Sequence, residues 1–225
     1  MIVATDVVKK FGRTTALAGV SLSVAAGERV ALLGHNGAGK STLMKLLAGQ
    51  LLPGEGRVLL AGVDVSAAPA RARSVLGYVP EEPILWEYLT ARETLEYVVA
   101  VRGTGDLEAA LALTGLGADA DRLVREYSQG MRRKVAIAAA LVAHPPVLVF
   151  DEALNGLDPP SALAIAEELG RRAAAGAAVL ISTHVIDLVP RIADRVVVLR
   201  AGRVDAEFRV SDLGPEGLAG VFRRE

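Results

Sequence analysis

Gly34-His35-Asn36-Gly37-Ala38-Gly39-Lys40-Ser41-Thr42 follows directly on the apolar run Val30-Ala31-Leu32-Leu33. Glycines in a loop of this kind let successive backbone N–H groups turn inward around an anion. A helix that follows points its positive end at the same anion, and Lys40 adds a mobile cation for β- and γ-phosphates. Ser41 is then the expected Mg²⁺ ligand. A second stretch, Val147-Leu148-Val149-Phe150-Asp151-Glu152, is an apolar strand ending in two carboxylates. In a chain with a phosphate cradle, Asp151 is read as reaching Mg²⁺ and Glu152 as orienting or deprotonating an attacking water. A third, Tyr127-Ser128-Gln129-Gly130-Met131, precedes Arg132-Arg133-Lys134 and an alanine-rich helix. A hydroxyl and a glycine at a helix N-terminus make a second anion site that lacks only a lysine.

These groups have to be held by regular elements. Runs rich in β-formers at Ile2 to Val8, Leu17 to Val24, Glu28 to Leu33 and Gly56 to Ala61, broken by Gly12, Gly27 and Gly54, predict strands and hairpin turns. Thr42 to Gln50 is the helix after the loop, and Leu76-Gly77-Tyr78-Val79 is a short strand stopped by Pro80 and Pro83. From Thr90 to Val142 the apolar spacing turns helical, which predicts a helical subdomain. Strand character returns at Val147 to Phe150, Ala178 to Ser182, Val196 to Leu199 and Arg203 to Phe208. A helix between Pro159 and Ala175 is capped by Asp158. The alternation of strand and helix implies an α/β protein with a parallel sheet and a site at the carboxyl ends of its strands. No internal repeat or long low-complexity linker interrupts it.

Composition narrows the function. With 25 basic and 26 acidic side chains in 225 residues, the overall field gives no reason to expect a nucleic-acid surface. There is no cysteine, which removes disulfides, thiolate nucleophiles and Cys-based metal sites, and suits a reducing compartment. The start, Met1-Ile2-Val3-Ala4-Thr5-Asp6, lacks a basic-then-apolar leader, so secretion is not expected. The longest apolar stretch, Val135 to Phe150, is interrupted by His144, Pro145 and Pro146, so no bilayer span is predicted and membrane work would need a partner.

In their order these motifs resemble the ATP-binding subunits of ABC transporters. The cradle at Gly34 to Thr42 and the signature at Ser128 to Met131 are followed by the Asp151-Glu152 pair. Asn155-Gly156-Leu157-Asp158 then stands as the D-loop and Thr183-His184 as the switch histidine. The resemblance implies a P-loop NTPase, RecA-like core with a mostly parallel sheet, an N-terminal antiparallel β subdomain and an inserted α-helical subdomain. Residues 1–80 and 143–225 would form the core and its antiparallel part, and 81–142 the helical signature subdomain. It also implies a homodimer, or a dimer with a related ATPase subunit, with each ATP between one subunit's cradle and the other's signature.

Carried over by position, the cofactors would be ATP and Mg²⁺. Gly34, His35, Asn36, Gly37, Ala38, Gly39, Lys40, Ser41 and Thr42 would line the phosphates, and Ser128, Gln129 and Gly130 would close over a neighbour's nucleotide. Ser41 and Asp151 would hold Mg²⁺, Glu152 would be the general base, and His184 would tie the γ-phosphate to the attacking water. Phe11 falls where the family stacks an aromatic on adenine, although an apolar residue closing a hairpin fits the same position. His35 occupies a variable cradle position, and His144 is read as ending a helix before Pro145.

Two departures matter. Tyr127, Gln129 and Met131 replace the commoner Leu, Gly and Gln of the signature, as in the branch that exports through separate permease chains. Glu81 stands where a glutamine normally follows the Tyr78-Val79-Pro80 strand end, which would place a third acid near Mg²⁺ in the closed dimer. Ile84, Leu85, Trp86, Tyr88 and Leu89 are either subdomain core or part of the groove that receives a permease helix. The expectation is therefore an ATPase subunit that powers export through a transmembrane permease. It would be cytoplasmic and peripheral on the inner face of the cell membrane, with no nucleic-acid partner. A soluble ABC ATPase acting on nucleic acid or ribosomes is the alternative, but the two cassettes, long coiled-coil insertion or basic arms usual in such proteins are missing.

Overall fold

The computed structural model describes residues 1–213. The tail Ser211–Glu225, expected to be too small for a regulatory domain, falls outside the described residues from 214 onward. In chain order, β1 (Ile2–Phe11) and β2 (Thr14–Val24) form a hairpin, and β3 (Arg29–Leu33) leads through the glycine loop into α1 (Lys40–Leu47). Then come β4 (Glu55–Leu60), β5 (Val63–Asp64), α2 (Pro69–Ser74) and β6 (Leu76–Val79). Three helices follow, α3 (Ala91–Arg102), α4 (Leu107–Thr114) and α5 (Gln129–Leu141). The last part runs β7 (Val147–Asp151), α6 (Pro159–Ala174), β8 (Ala178–Ser182), α7 (Val189–Ile192), β9 (Arg195–Arg200) and β10 (Arg203–Arg209).

The strands form two sheets. One is antiparallel, in the order β2-β1-β4-β5; the other runs β10-β9-β3-β8-β7-β6, parallel throughout except for β10 at its edge. Central strands of the second sheet are buried on both faces, so they read as unbroken apolar runs, yet their side chains still alternate. Val30, Leu32, Val147, Val149 and Leu180 point into a core shared with α1 and the antiparallel sheet. Ala31, Leu33, Leu148, Phe150 and Ile181 point into a second core covered by α5, α6 and α7. The two cores clamp β3, β7 and β8 from both sides, which makes their carboxyl ends a rigid platform.

Helix α5 is apolar on two faces. Ala136, Ile137, Ala140 and Leu141 face the sheet, whereas Val135, Ala138 and Val142 join Leu95, Leu111 and Val124 in a third, all-helical core. Gly77 lets this helix approach β6: a Cβ there would lie 2.3 Å from the Ala140 carbonyl oxygen, so only glycine allows the contact. Thr90 opens α3 with a reciprocal capping box to Glu93, and Asp158 caps α6 through Ser161 N at 2.9 Å, as its sequence position predicts.

The strand and helix expectations hold with small shifts. Helix α1 begins at Lys40 rather than Thr42 and ends at Leu47, because Gly39 takes the left-handed N-cap position and Gly49 a positive φ of 66° after it. Elements of two to six residues, β5, α2 and α7, carry too few periodic positions to be read from pattern and were not expected. His144 does end α5: it adopts φ 51° and its N–H donates to the Leu141 carbonyl.

Candidate active site

The platform's carboxyl ends bring the cradle, the carboxylates and the histidine together. Between β3 and α1, the loop is pressed against its surroundings at two glycines. A Cβ on Gly34 would sit 2.3 Å from the Leu199 carbonyl oxygen, and one on Gly39 would sit 2.6 Å from that of Ala16. At φ 153° and 107° these positions also disfavour any side chain. No side chain caps the start of α1 and no acidic residue lies in its first turn, so the positive end of the helix is left for an anion. Lys40 is 7% exposed; its ammonium donates to Gly34 O at 2.6 Å and lies 3.9 Å from Glu152 Oε1.

Parallel pairing sets Asp151 opposite Ser182. The Ser182 hydroxyl donates to Asp151 Oδ1 at 2.7 Å and accepts from Glu152 N at 2.9 Å, so one buried hydroxyl serves both carboxylate residues. Asp151 is 2% exposed. Burial raises its proton affinity above the ordinary carboxylate value, and the charges of Glu81 and Glu152 add to this, while the Ser182 hydrogen bond and Lys40 oppose it. Glu152 adopts φ 50°, an uncommon conformation for a non-glycine residue, which turns its side chain back over the end of the sheet. Its Oε2 accepts from Asn155 Nδ2 at 2.5 Å and lies 3.0 Å from His184 Nδ1. An ionised carboxylate can only accept, so Nδ1 carries the proton of that contact. Asn155 Nδ2, 3.3 Å from the same nitrogen, then donates to Glu152 alone.

A cleft of about 210 Å³ beside the loop is lined by Ser41, Lys45, Tyr78, Glu81, Glu82 and Asp151. The Tyr78 hydroxyl is buried there without a protein partner, and burial together with the Asp151 charge pushes its pKa up to about 12. An orphan hydroxyl, a serine hydroxyl and a buried carboxylate of raised proton affinity form an oxygen-only donor set. It fits a hard divalent cation that keeps several of its waters. Among the described residues no three of His, Asp and Glu converge into a ready-made metal cage.

The remaining expected residues lie at the margins. Phe11 is 49% exposed at the hairpin tip, with Lys9 Nζ 5.5 Å from its ring centroid, and the same hairpin meets the cradle through Ala16. Ser128 and Gln129 are exposed at the start of α5, where Ser128 Oγ accepts from Met131 N; Gly130 adjoins Gly156 O. Glu81 is exposed at the mouth of the cleft. Three contributors were not expected from sequence: Ser182, Tyr78 and the side chain of Asn155. A polar residue closing the apolar strand Ala178-Val179-Leu180-Ile181 was the available signal for Ser182, and the three-residue spacing from Glu152 was the one for Asn155.

Comparison with known proteins agrees with this geometry. The family model described as ABC transporter matches residues 17–155. The chain belongs to the ABC transporter family. The Nod factor export ATP-binding protein I of Rhizobium meliloti (strain 1021) is 38% identical over 212 residues, covering 91% of this chain and 63% of that protein. The cassette thus spans less than two thirds of that relative's length. The bacitracin transport ATP-binding protein BcrA of Enterococcus faecalis is 33% identical, covering 95% of this chain and 70% of its own. A solved ATP-binding subunit of an ABC transporter superposes with a TM-score of 0.92 at 31% identity, covering 100% of this chain and 98% of that one. A dimeric cassette solved in a post-hydrolysis state with ADP and Pi gives 0.85 at 26% identity, covering 93% and 98%. Among the described residues, no helix of the cassette is long and apolar enough to cross a membrane.

The Asp151 environment has a measurable consequence. Because its folded-state pKa is raised, the native state binds more protons than the unfolded chain between the two pKa values, and stability falls as pH rises through that window. At neutral pH the buried charge is therefore a standing cost. In EDTA, Asp151→Asn is expected to melt at a higher temperature than wild type at pH 7, with the gap closing as pH is lowered into the acidic window. Equal melting temperatures at pH 7 would show that the carboxylate carries no such cost.

Proposed function

We propose that this cassette binds ATP with Mg²⁺, hydrolyses it as half of a dimer, and powers export through a separate transmembrane permease. The observation that carries the reading is the placement of Lys40, Asp151, Glu152 and His184 at one end of a single sheet, beside a helix start that no side chain caps. Backbone amides of residues 34–42 and Lys40 would hold the phosphates, as the family resemblance implies. Ser41, Asp151 and Glu81 would hold Mg²⁺, which when bound neutralises phosphate charge and orients the oxygens for in-line attack.

Glu152 is the group placed to accept the proton of an attacking water. Asn155 and His184 fix the orientation of its Oε2, while Oε1 faces Lys40. With Nδ1–H directed at Glu152, Nε2 is the ring nitrogen left on the other edge of His184 for the γ-phosphate or its water. Phe11, about half exposed on the hairpin that meets the cradle at Ala16, would stack on a purine, as the family resemblance implies. Ser128 and Gln129 are exposed and partly buried Gly130 adjoins Gly156, on a surface that a second subunit's nucleotide could reach. These assignments, and the division into a core (1–80 and 143–225) and a helical subdomain (81–142), follow the family resemblance and are supported by the separate helical core around Leu95, Leu111 and Val135.

The permease partner is supported by an exposed apolar group on the helical part. Ile84 is 95% exposed and Tyr88 76%, and Trp86 stacks edge-on with Tyr97 at 4.8 Å. Leu85 from the same segment packs inward against two cores, so the cluster divides between core and surface. A relative named for Nod factor export supports export as the direction. Attachment to the inner face of the membrane would then come through the permease.

Three outcomes are expected. Glu152→Gln should bind ATP as wild type does, lose turnover by 10²-fold or more, and accumulate as an ATP-bound dimer in size-exclusion chromatography; wild-type turnover would remove Glu152 as the base. Glu81→Gln should need more Mg²⁺ for half-maximal activity, since one carboxylate leaves the cleft, and an unchanged Mg²⁺ dependence would exclude Glu81 from the metal site. The cassette should sediment with membranes when co-expressed with its permease and stay in the supernatant without it. ATPase activity stimulated by nucleic acid, with no membrane association, would replace export by the soluble reading.

A further inference from the structure

Arg133 lies one turn into α5, in a run where Arg132 and Lys134 look equivalent to it, yet its side chain does something neither neighbour does. Its Nη1 donates to the main-chain oxygen of Asn155 and its Nη2 to that of Glu81 at 2.6 Å. Those two residues are far apart in sequence and sit on different loops, one after β7 and one after β6. By contrast, Arg132 is bound to Glu87 and to carbonyls of its own neighbourhood, and Lys134 reaches only Asp158. Nε of Arg133 is buried without a partner, so the two carbonyls are the fork's only acceptors among the described residues.

Both anchored residues carry side chains that matter to the site. Asn155 Nδ2 donates to Glu152 Oε2 at 2.5 Å, and Arg133 holds the main-chain oxygen of the same residue, next to the turn at Gly156. Glu81, held by its main chain, leaves its carboxylate at the cleft shared with Ser41 and Asp151. One guanidinium therefore sets the loop that aims the carboxylate base and the loop that lines the cleft. It does so from the helix that also presents Ser128, Gln129 and Gly130.

We propose that Arg133 is a positioning residue which makes the alignment of Glu152 depend on the orientation of α5. The proposal rests on the ATPase reading above for its kinetic consequence, but its structural consequence stands without nucleotide. When α5 is seated as here, the fork holds both loops; when α5 rotates away, it releases or drags both together. Lysine cannot replace it, because a single ammonium at the end of a longer, flexible stem does not span two carbonyls in a fixed plane.

The test uses the full chain with Arg133→Lys and Arg133→Ala, after thermal melts confirm that each is folded. In hydrogen exchange without nucleotide, both variants should speed exchange of amides in residues 81–84 and 153–157 together; exchange unchanged in either segment overturns the proposal, whatever the protein does with ATP. In turnover assays, ATP affinity should stay within about 2-fold while kcat falls about 10- to 100-fold, and Arg133→Lys should recover little of it. Combining Arg133→Ala with Asn155→Ala should cost no more than the worse single variant, because both act through Glu152. Multiplying losses would show that Arg133 acts elsewhere. A wild-type chain that binds ATP but never turns it over would refute the ATPase reading alone, leaving the exchange result to decide this one.

Discussion

Two adjacent carboxylates, Asp151 and Glu152, are buried at the end of the central strand β7, and the rest of the site is organised around the cost of putting them there. Taking a carboxylate out of water costs several kcal/mol even after a protein relaxes around it. Adjacent residues would ordinarily share one environment. Here they are separated by a backbone turn: Asp151 continues the strand and Glu152 takes a left-handed conformation that sends its side chain elsewhere. The left-handed turn is held by Ser182, whose hydroxyl and carbonyl both accept from Glu152 N while the hydroxyl also donates to Asp151. Lys40 then faces the first oxygen of Glu152, and Asn155 and His184 the second. Asp151 has fewer compensations, and its burial raises its proton affinity.

That arrangement requires strand ends that do not move, and the two-sided sheet supplies them. Because β3, β7 and β8 alternate their side chains between two separate cores, displacing any one of them would open both. The cradle inherits this rigidity through close contacts that only glycine permits, Gly34 against the end of β9 and Gly39 against the hairpin at Ala16. The placement of the loop is thus a consequence of backbone packing. Helix α5 belongs to both the helical core and the sheet-facing core, and its Arg133 binds the main chain of both site loops.

How much of this could be read from residue order divides along a physical line. Glycine spacing, an apolar strand ending in acids, and a capping aspartate before prolines are local statements, and the cradle, Asp151-Glu152 and the start of α6 were all legible. The strand pattern gave the parallel sheet for the same reason. Ser182, Tyr78 and Arg133 gained their roles from partners 22 to 52 residues away or from a shared cleft, and no periodicity encodes such a meeting. Arg133 is the sharpest case: within Arg132-Arg133-Lys134 nothing distinguishes the residue that spans two loop carbonyls from the two whose ion pairs each go to a single carboxylate, Glu87 and Asp158. Only the close packing of α5 on Gly77 brings that one position over them.

On the reading proposed above, one chain supplies the acids and the base of the site but leaves it open on one side. Lys40 and Glu152 face the same space; Ser128 Oγ accepts from Met131 N in capping its own helix, which leaves its O–H to donate elsewhere. A phosphate held by residues 34–42 would therefore lack donors on the side away from α1, and an exposed γ-phosphate would leave the attacking water in contact with bulk solvent. Exposed Ser128 and Gln129 beside Gly156 form a surface with the donors such a phosphate would need, on a helix whose angle is tied to the Glu152 loop by Arg133. If a second cassette supplies that surface, closure does two things in one movement: it excludes solvent from one site and, through its own Arg133, fixes the base of the other. Coupling of that kind requires neither a long-range field nor a strained backbone, only a helix that carries both the donors for a neighbour and the anchor for its own base.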